Sequence, residues 1–271
     1  MSEKISRILS GAIIFAAALI IFIFGNVYTV DIVLCIVALR CVYELSKTFE
    51  KKEHKPIKWV TYVACIPIAL MHIVPVKSLM FTELIIPIAV VLCFMDLIFR
   101  KENKRTALDV TITVFEILYI VVFLSIFSKI RAMENGKYLI WYVFISAWLT
   151  DVFALYTGRA FGKHHFTSIS PNKTIEGCIG GLAGAVIGCE LYTILLNNLG
   201  IVQFGYVEII IYALFLSAIG QIGDLAASSI KRYAGVKDFS NLIPGHGGML
   251  DRIDSIIFIV PLAYIILTTL I

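Results

Sequence analysis

Charge is scarce in this chain. Only 15% of its 271 residues are Asp, Glu, Lys or Arg, against 59% apolar, and the mean hydropathy is +0.92. That balance excludes an ordinary soluble globular domain. Proline is scarce too, with seven residues, and the absence of any low-complexity block leaves no room for a linker or a disordered tail. No internal repeat is evident. The six cysteines (Cys35, Cys41, Cys65, Cys93, Cys178 and Cys189) all fall in apolar segments and none forms a CxxC pair, so neither a zinc site nor a disulfide frame is indicated. What remains is an all-α, polytopic integral membrane protein. We read residues 1–271 as a single membrane domain, with 1–137 as a transmembrane scaffold and 138–271 as the half that carries chemistry.

The N-terminus, MSEKISR followed by the apolar run Ile8 to Phe24, has the charged start and oily core of a signal peptide. The run is long, and Asn26, Val27 and Tyr28 follow it without a small-residue cleavage site, which makes it a retained first span. A bilayer core of about 30 Å needs roughly 20 apolar residues, and nine stretches approach that length: 7–25, 27–47, 58–75, 79–99, 107–128, 138–157, 175–197, 204–226 and 255–271. With nine spans, 18 of the 23 Lys and Arg residues fall on the side of the N-terminus and four on the other, Arg40 lying within a span. Positive loops stay inside, so the N-terminus is expected to be cytoplasmic and the C-terminus outside. The loops around Lys51 and Lys101 read as orientation signals and headgroup contacts. Trp59, Tyr138, Trp141 and Tyr142 stand near span ends as interfacial anchors.

The polar residues of the second half gather in three places. The first is AWLTDVFALYTGRAFGKHH, which sets Asp151 within an apolar helix and Arg159, Lys163, His164 and His165 just beyond it. The second is SISPNKTIEG, in which Asn172 and Lys173 precede a helix start at Thr174, where unpaired N–H groups and the helix dipole favour an anion. The span it opens carries Gly177, Gly180, Gly181, Gly184 and Gly188, a stripe without bulk that lets another helix approach closely. Glu190, in the same span, is an acid without an assigned role.

The densest cluster runs from Ser217 to Asp254. Asp224, Ser228 and Lys231 are at i, i+4 and i+7 and share one helix face, with Gly220 clearing space a turn earlier. A carboxylate and a hydroxyl so placed are hard oxygen ligands suited to Mg²⁺, and the lysine can reach phosphate. Arg232 and Lys237 follow. Next comes IPGHGGMLDRID, in which Gly245, Gly247 and Gly248 flank His246 and allow backbone N–H groups to turn toward phosphate oxygens. Asp251 and Asp254, at i and i+3, can meet Asp224 across a bundle to complete a cation site. Three carboxylates near lipid repel one another strongly unless cations compensate.

The run SxIKRxxxxKDxxxxIPGHGGxLDRxD, ending at Asp254, resembles the signature of the phosphatidate cytidylyltransferases, or CDP-diacylglycerol synthases. Thr150 to His164 and Ser170 to Gly177 are similar to two further segments of that family, apart from Leu155 before Tyr156. The first half matches only as a set of apolar spans. The resemblance implies CTP plus phosphatidate giving CDP-diacylglycerol and pyrophosphate, with Mg²⁺ required and a second cation allowed. It implies Asp224 and Asp251 as metal ligands supported by Asp254 and Ser228. Lys231 is the catalytic cation, and Asp151, Asn172, Lys173, Arg232, Lys237, His246 and Gly247 are the substrate-binding residues. The partners expected are CTP, phosphatidate and membrane lipids, with no nucleic acid and with a homodimer compatible. The expected location is the cell (inner or plasma) membrane with the site facing the cytoplasm. Two other readings compete. A CTP-dependent lipid-alcohol kinase of the polyprenol type also joins CTP to a membrane substrate, and an ion or phosphate transporter also carries intramembrane Asp and Lys.

Overall fold

The computed structural model describes residues 11, 16, 18–74, 78–100, 105–243, 245 and 247–270. Among the described residues all regular structure is helical, and the only extended pairings are two isolated bridges, His165 with Thr174 and Ile243 with Gly247. Five helices or helix runs are long and apolar enough to cross a membrane: Ala107–Ala132, Gly136–Phe161, Ile175–Asn198, Tyr206–Tyr233 and Leu250–Leu270. The chain divides into two compact units, Met1–Lys129 with Tyr233–Arg252, and Ile130–Arg232 with Ile253–Ile271.

The first unit is built on α1 (Val27–Glu50), which starts where the Asn26 side chain accepts from the Thr29 N–H. Val30, Leu34, Ala38, Cys41 and Leu45 recur at helical spacing along its buried face, so one stripe of α1 meets the core. Then come α2 (Lys58–Leu70), α3 (Ser78–Phe99), α4 (Ala107–Glu116), a π-helical turn (Ile117–Val122) and α5 (Phe123–Ala132), which leaves the unit after Lys129. The loop between α1 and α2 is fixed by its own backbone donors. Lys55 N donates to Asp109 Oδ1 at 2.6 Å, and Ile57 N to Thr113 Oγ1 at 2.8 Å. Asp31, fully buried on α1, is matched by His72 Nδ1 at 2.7 Å and by the Ser128 hydroxyl, so this buried acid is partnered as such a group must be.

The second unit contains α6 (Gly136–Leu139), α7 (Trp141–Phe161), α8 (Ile175–Asn198), nearly all of α9 (Tyr206–Tyr233) and most of α10 (Leu250–Leu270). The glycine stripe of α8 does what its spacing suggests. A Cβ at Gly181 would stand 2.9 Å from the Thr150 carbonyl oxygen, and one at Gly184 would stand 2.3 Å from Phe153 Cγ, so α7 lies against α8 at backbone distance. Hydrogen bonds reinforce the pair and add α9. Tyr142 Oη meets Thr193 Oγ1 at 2.7 Å, and Thr150 Oγ1 meets Ser217 Oγ at 2.6 Å. Gly220 and Gly223 play the same part between α9 and α10, where added carbons would strike Ile259 and Phe258.

Several span expectations shift. Of the stretch 7–25, residues 7–10, 12–15 and 17 lie outside the described residues, and 18–24 are helical. The expected span 58–75 is realised as a helix of 13 residues containing Pro67, about 20 Å at 1.5 Å per residue and short of a full crossing. In the second half the helices run past the apolar segments. α7 continues to Phe161, which puts Arg159 in its last turn instead of beyond it. α9 continues through Lys231 and Arg232, and α10 begins at Leu250. Arg159, Lys231, Arg232 and Asp251 thus stand on helix ends.

Candidate active site

The α7–α8 connection is shaped by its own hydrogen bonds. Thr174 caps α8, its hydroxyl accepting from Gly177 N at 3.1 Å. Glu176, one turn in, draws the connection back: its Oε2 accepts from Lys163 N at 3.2 Å and His164 N at 3.3 Å, and Oε1 meets His164 Nδ1 at 2.7 Å. His165 and Thr174 form a bridge across the same loop. His164 is therefore a brace of this loop. The closed loop brings Lys173 back over α7 and α9.

A cavity of about 230 Å³ opens there, lined among others by Asp151, Asn172, Lys173, Thr174, Gly177 and Gln221. Three of the expected substrate-binding residues, Asp151, Asn172 and Lys173, thus share one wall system. Gln221 Nε2 donates to the Cys178 carbonyl at 3.2 Å and ties α9 to α8 at the cavity floor. Lys173 Nζ pairs with Asp224 Oδ2 at 2.5 Å, both side chains partly exposed. The expected phosphate cation and an expected metal ligand therefore neutralise each other.

Asp224, Ser228 and Lys231 share a face of α9 as their spacing requires, and Ser228 and Lys231 are buried. Asp254 of α10 is buried as well. Its Oδ1 accepts from Ser255 N at 2.9 Å, and its charge is felt by Asp224, Lys231 and Asp151. Two carboxylates and a lysine of the second unit thus lie within electrostatic reach of Asp254. Among the described residues no three His, Cys, Asp or Glu side chains are gathered closely enough to hold a metal ion between them. The donor chemistry nevertheless fits a hard cation, since Asp224, Asp254 and Ser228 offer only oxygen and two of the three are carboxyl groups.

In the first unit the glycine-rich segment before α10 is a pinned turn. Gly245 and Gly247 have φ of 75° and 80°, a region in which a side chain is strained, and Ile243 N donates to Gly247 O at 2.8 Å. Asp251 Oδ2 accepts from Phe239 N and Gly248 N, each at 2.9 Å. The expected metal ligand Asp251 is thus also the staple of this loop. Lys237 is exposed in the same unit, as is Arg232 in the other. His246 lies outside the described residues.

Sequence reasoning missed Arg40 and Glu44 of α1. Glu44 accepts from Met249 N and Leu250 N, and Arg40 Nη2 donates to Ser240 Oγ. The available signal was an ion pair at i, i+4 inside an apolar span, taken only as a charge in transit. Gln221 and Cys178 on the cavity wall carried no signal of their own.

The fold and cavity define a class: a helical membrane protein whose buried carboxylates, lysines and hydroxyls collect at helix ends. Comparison with known proteins makes this specific. The model of the Cytidylyltransferase family matches residues 5–270. A protein of Bacillus subtilis (strain 168), named phosphatidate cytidylyltransferase, is 30% identical over 276 residues, covering 98% of each chain. Proteins of the same name from Staphylococcus haemolyticus (strain JCSC1435) and Staphylococcus aureus (strain COL) are 40% identical over 169 residues and 39% over 170, in each case 62% of both chains. The chain belongs to the Cytidylyltransferase family.

Proposed function

We propose that the chain transfers the cytidylyl group of CTP to phosphatidate, giving CDP-diacylglycerol and pyrophosphate. The family membership and the names of the relatives support the reaction. The observation that carries the site is the cavity where Asp151, Asn172 and Lys173 meet, with Lys173 paired to Asp224.

In the proposed chemistry an oxygen of the lipid phosphate attacks the α-phosphorus of CTP. A new P–O bond forms there, the bond from the α-phosphorus to the bridging oxygen breaks, and pyrophosphate leaves with its electron pair. No covalent protein intermediate is needed, so positioning and charge compensation carry the rate. Lys173 exchanges its bond to Asp224 for the triphosphate, and Asn172, Lys231 and Arg232 are the further anion contacts of the second unit; in the first unit Lys237 and the Gly247 N–H face phosphate. Asp151 orients substrate from the cavity wall. Asp224, Asp254 and Ser228 of the second unit are the groups that would hold Mg²⁺, alone or with a second cation, and Asp251 of the first unit is a proposed cation ligand in its own unit. When bound, the ion neutralises charge on the phosphate oxygens.

We further propose nine spans, with the N-terminus and the site on the cytoplasmic side of the cell membrane, where CTP is found. The bias of positive residues supports this; among the described residues five of the nine stretches lie in helices long and apolar enough to cross a membrane. Residues 138–271 remain the proposed catalytic half.

The deciding experiment uses purified protein in phosphatidate-containing micelles with Mg²⁺ and CTP labelled at either the α- or the γ-phosphate. Label from the α-position should enter lipid and label from the γ-position should appear in pyrophosphate. Lipid carrying the γ-label would instead establish a lipid kinase.

A further inference from the structure

Glu44 lies on α1, in the half of the chain that bears none of the signature residues. Its side chain is wholly buried and accepts four hydrogen bonds. Oε1 takes Arg40 Nε at 3.0 Å, Ser240 Oγ at 2.7 Å and Met249 N at 3.1 Å. Oε2 takes Leu250 N at 2.9 Å. Arg40 closes the ring by donating from Nη2 to Ser240 Oγ at 3.2 Å. Because Leu250 is the first residue of α10, Glu44 supplies from another helix the acceptor and the negative charge that a helix start lacks. The fit is close, since a Cβ on Gly248 would stand 2.4 Å from Oε2.

A cap alone needs one acceptor, and Ser or Asp next to the helix start would provide it locally. Glu44 instead grips the segment at both its ends, Ser240 and Met249–Leu250, while Asp251 holds Phe239 and Gly248 from the helix side. The turn at Gly245 and Gly247 is suspended between these grips. A charge placed this deep is costly unless every oxygen is used, and here the donors on the turn account for three of the four bonds.

We infer that Glu44, neutralised by Arg40, is a positioning residue that sets the shape of the glycine-rich turn for the phosphates of CTP. This rests on the reading above, in which that turn faces the triphosphate. Glu44 touches no substrate. Its effect passes through the backbone of 240–250, so it bears on CTP and not on the lipid.

The test is steady-state kinetics of the full chain in phosphatidate micelles, each substrate varied in turn, for wild type, Glu44→Gln and Ser240→Ala. In Glu44→Gln the new amide turns a donor toward donors, and loss of a charged acceptor is worth about a tenfold rise in KM for CTP. Ser240→Ala removes one neutral bond and should raise it about threefold. KM for phosphatidate should stay unchanged in both. A fall in kcat with both KM values unmoved, or no kinetic change, overturns the inference and leaves Glu44 a scaffold residue. If Glu44→Gln does not fold, Ser240→Ala decides alone, and an unmoved KM for CTP overturns the inference. A wild-type protein that makes no CDP-lipid sinks the reaction itself and the inference with it. An active wild type with variants of unchanged CTP dependence sinks only the inference.

Discussion

Replacing glycine by alanine at two positions of α8 should have opposite outcomes. At Gly177 the added Cβ would stand 2.8 Å from the Ala154 carbonyl oxygen and 3.3 Å from the Gly158 Cα. Both belong to the backbone of α7 and neither can rotate away. Ordinary contact needs about 3.5 Å or more, so the helices must part by most of an ångström. Overpacking of this kind costs about 1–3 kcal/mol, against a gain of about 1 kcal/mol from better helix propensity. The net loss is on the order of 1 kcal/mol, and because Gly177 lines the cavity the shift also widens the substrate site. At Gly188 the nearest atom, at 2.0 Å, is Leu149 Cδ1, the end of a flexible side chain that moves by a rotamer change. There the propensity gain offsets the cost and stability should stay near wild type. Thermal unfolding in detergent with CTP turnover on the same samples measures both. A Gly177→Ala protein as stable and active as wild type, or Gly188→Ala as the worse of the two, would refute the close-approach argument.

Three other outcomes follow from the cavity. Asp224→Asn should lower CDP-lipid formation by about 10²-fold or more while the protein still inserts, and normal turnover by the purified variant would remove Asp224 from the site. Lys173→Met should lose a comparable factor, about 10²-fold, with a stability change of about 1 kcal/mol or less because the ion pair is partly exposed; unchanged CTP dependence in a titration would count against the phosphate role. Cys178 lines the same cavity and is a free, half-buried thiol. Its alkylation by a small maleimide, followed by mass spectrometry, should slow when CTP is present, and equal rates with and without CTP would place the nucleotide elsewhere.

The helical character of the chain was legible because long apolar runs leave few alternatives, and the glycine stripe of α8 announced its close neighbour correctly. Helix ends were not legible to the same degree. Hydropathy marks where a helix stops being oily, and α7, α9 and α10 go on for several residues beyond that point. Arg159 was therefore expected beyond its helix and stands in its last turn, whereas Lys231 and Asp251 lie on helix as their spacing suggested. The expected span 58–75 ends early, as α2, for the opposite reason. Its apolar composition continues past Leu70, while Pro67 removes a backbone donor and the helix gives way to turns from Met71.

For the site, sequence could name the charged groups but not decide which of them neutralise which. Spacing assigned Lys173 to phosphate and Asp224 to metal as separate tasks, yet the two form one ion pair. Asp251 was read as a ligand, and its Oδ2 is already engaged by two backbone donors of the loop it closes. Glu44 was passed over because only Arg40, at i, i+4, is visible beside it in the sequence, while its other partners lie some 200 residues away at Ser240, Met249 and Leu250. These three cases have one physical origin. In a low-dielectric bundle each buried charge must find compensation, and the compensating group is chosen by the tertiary fold rather than by helical spacing. A residue's task in such a protein is therefore best inferred from what it holds before substrate arrives. By that criterion the partly exposed pair of Lys173 and Asp224 is suited to the proposed exchange beside the cavity, while Glu44 is fully enclosed and placed to stay as it is.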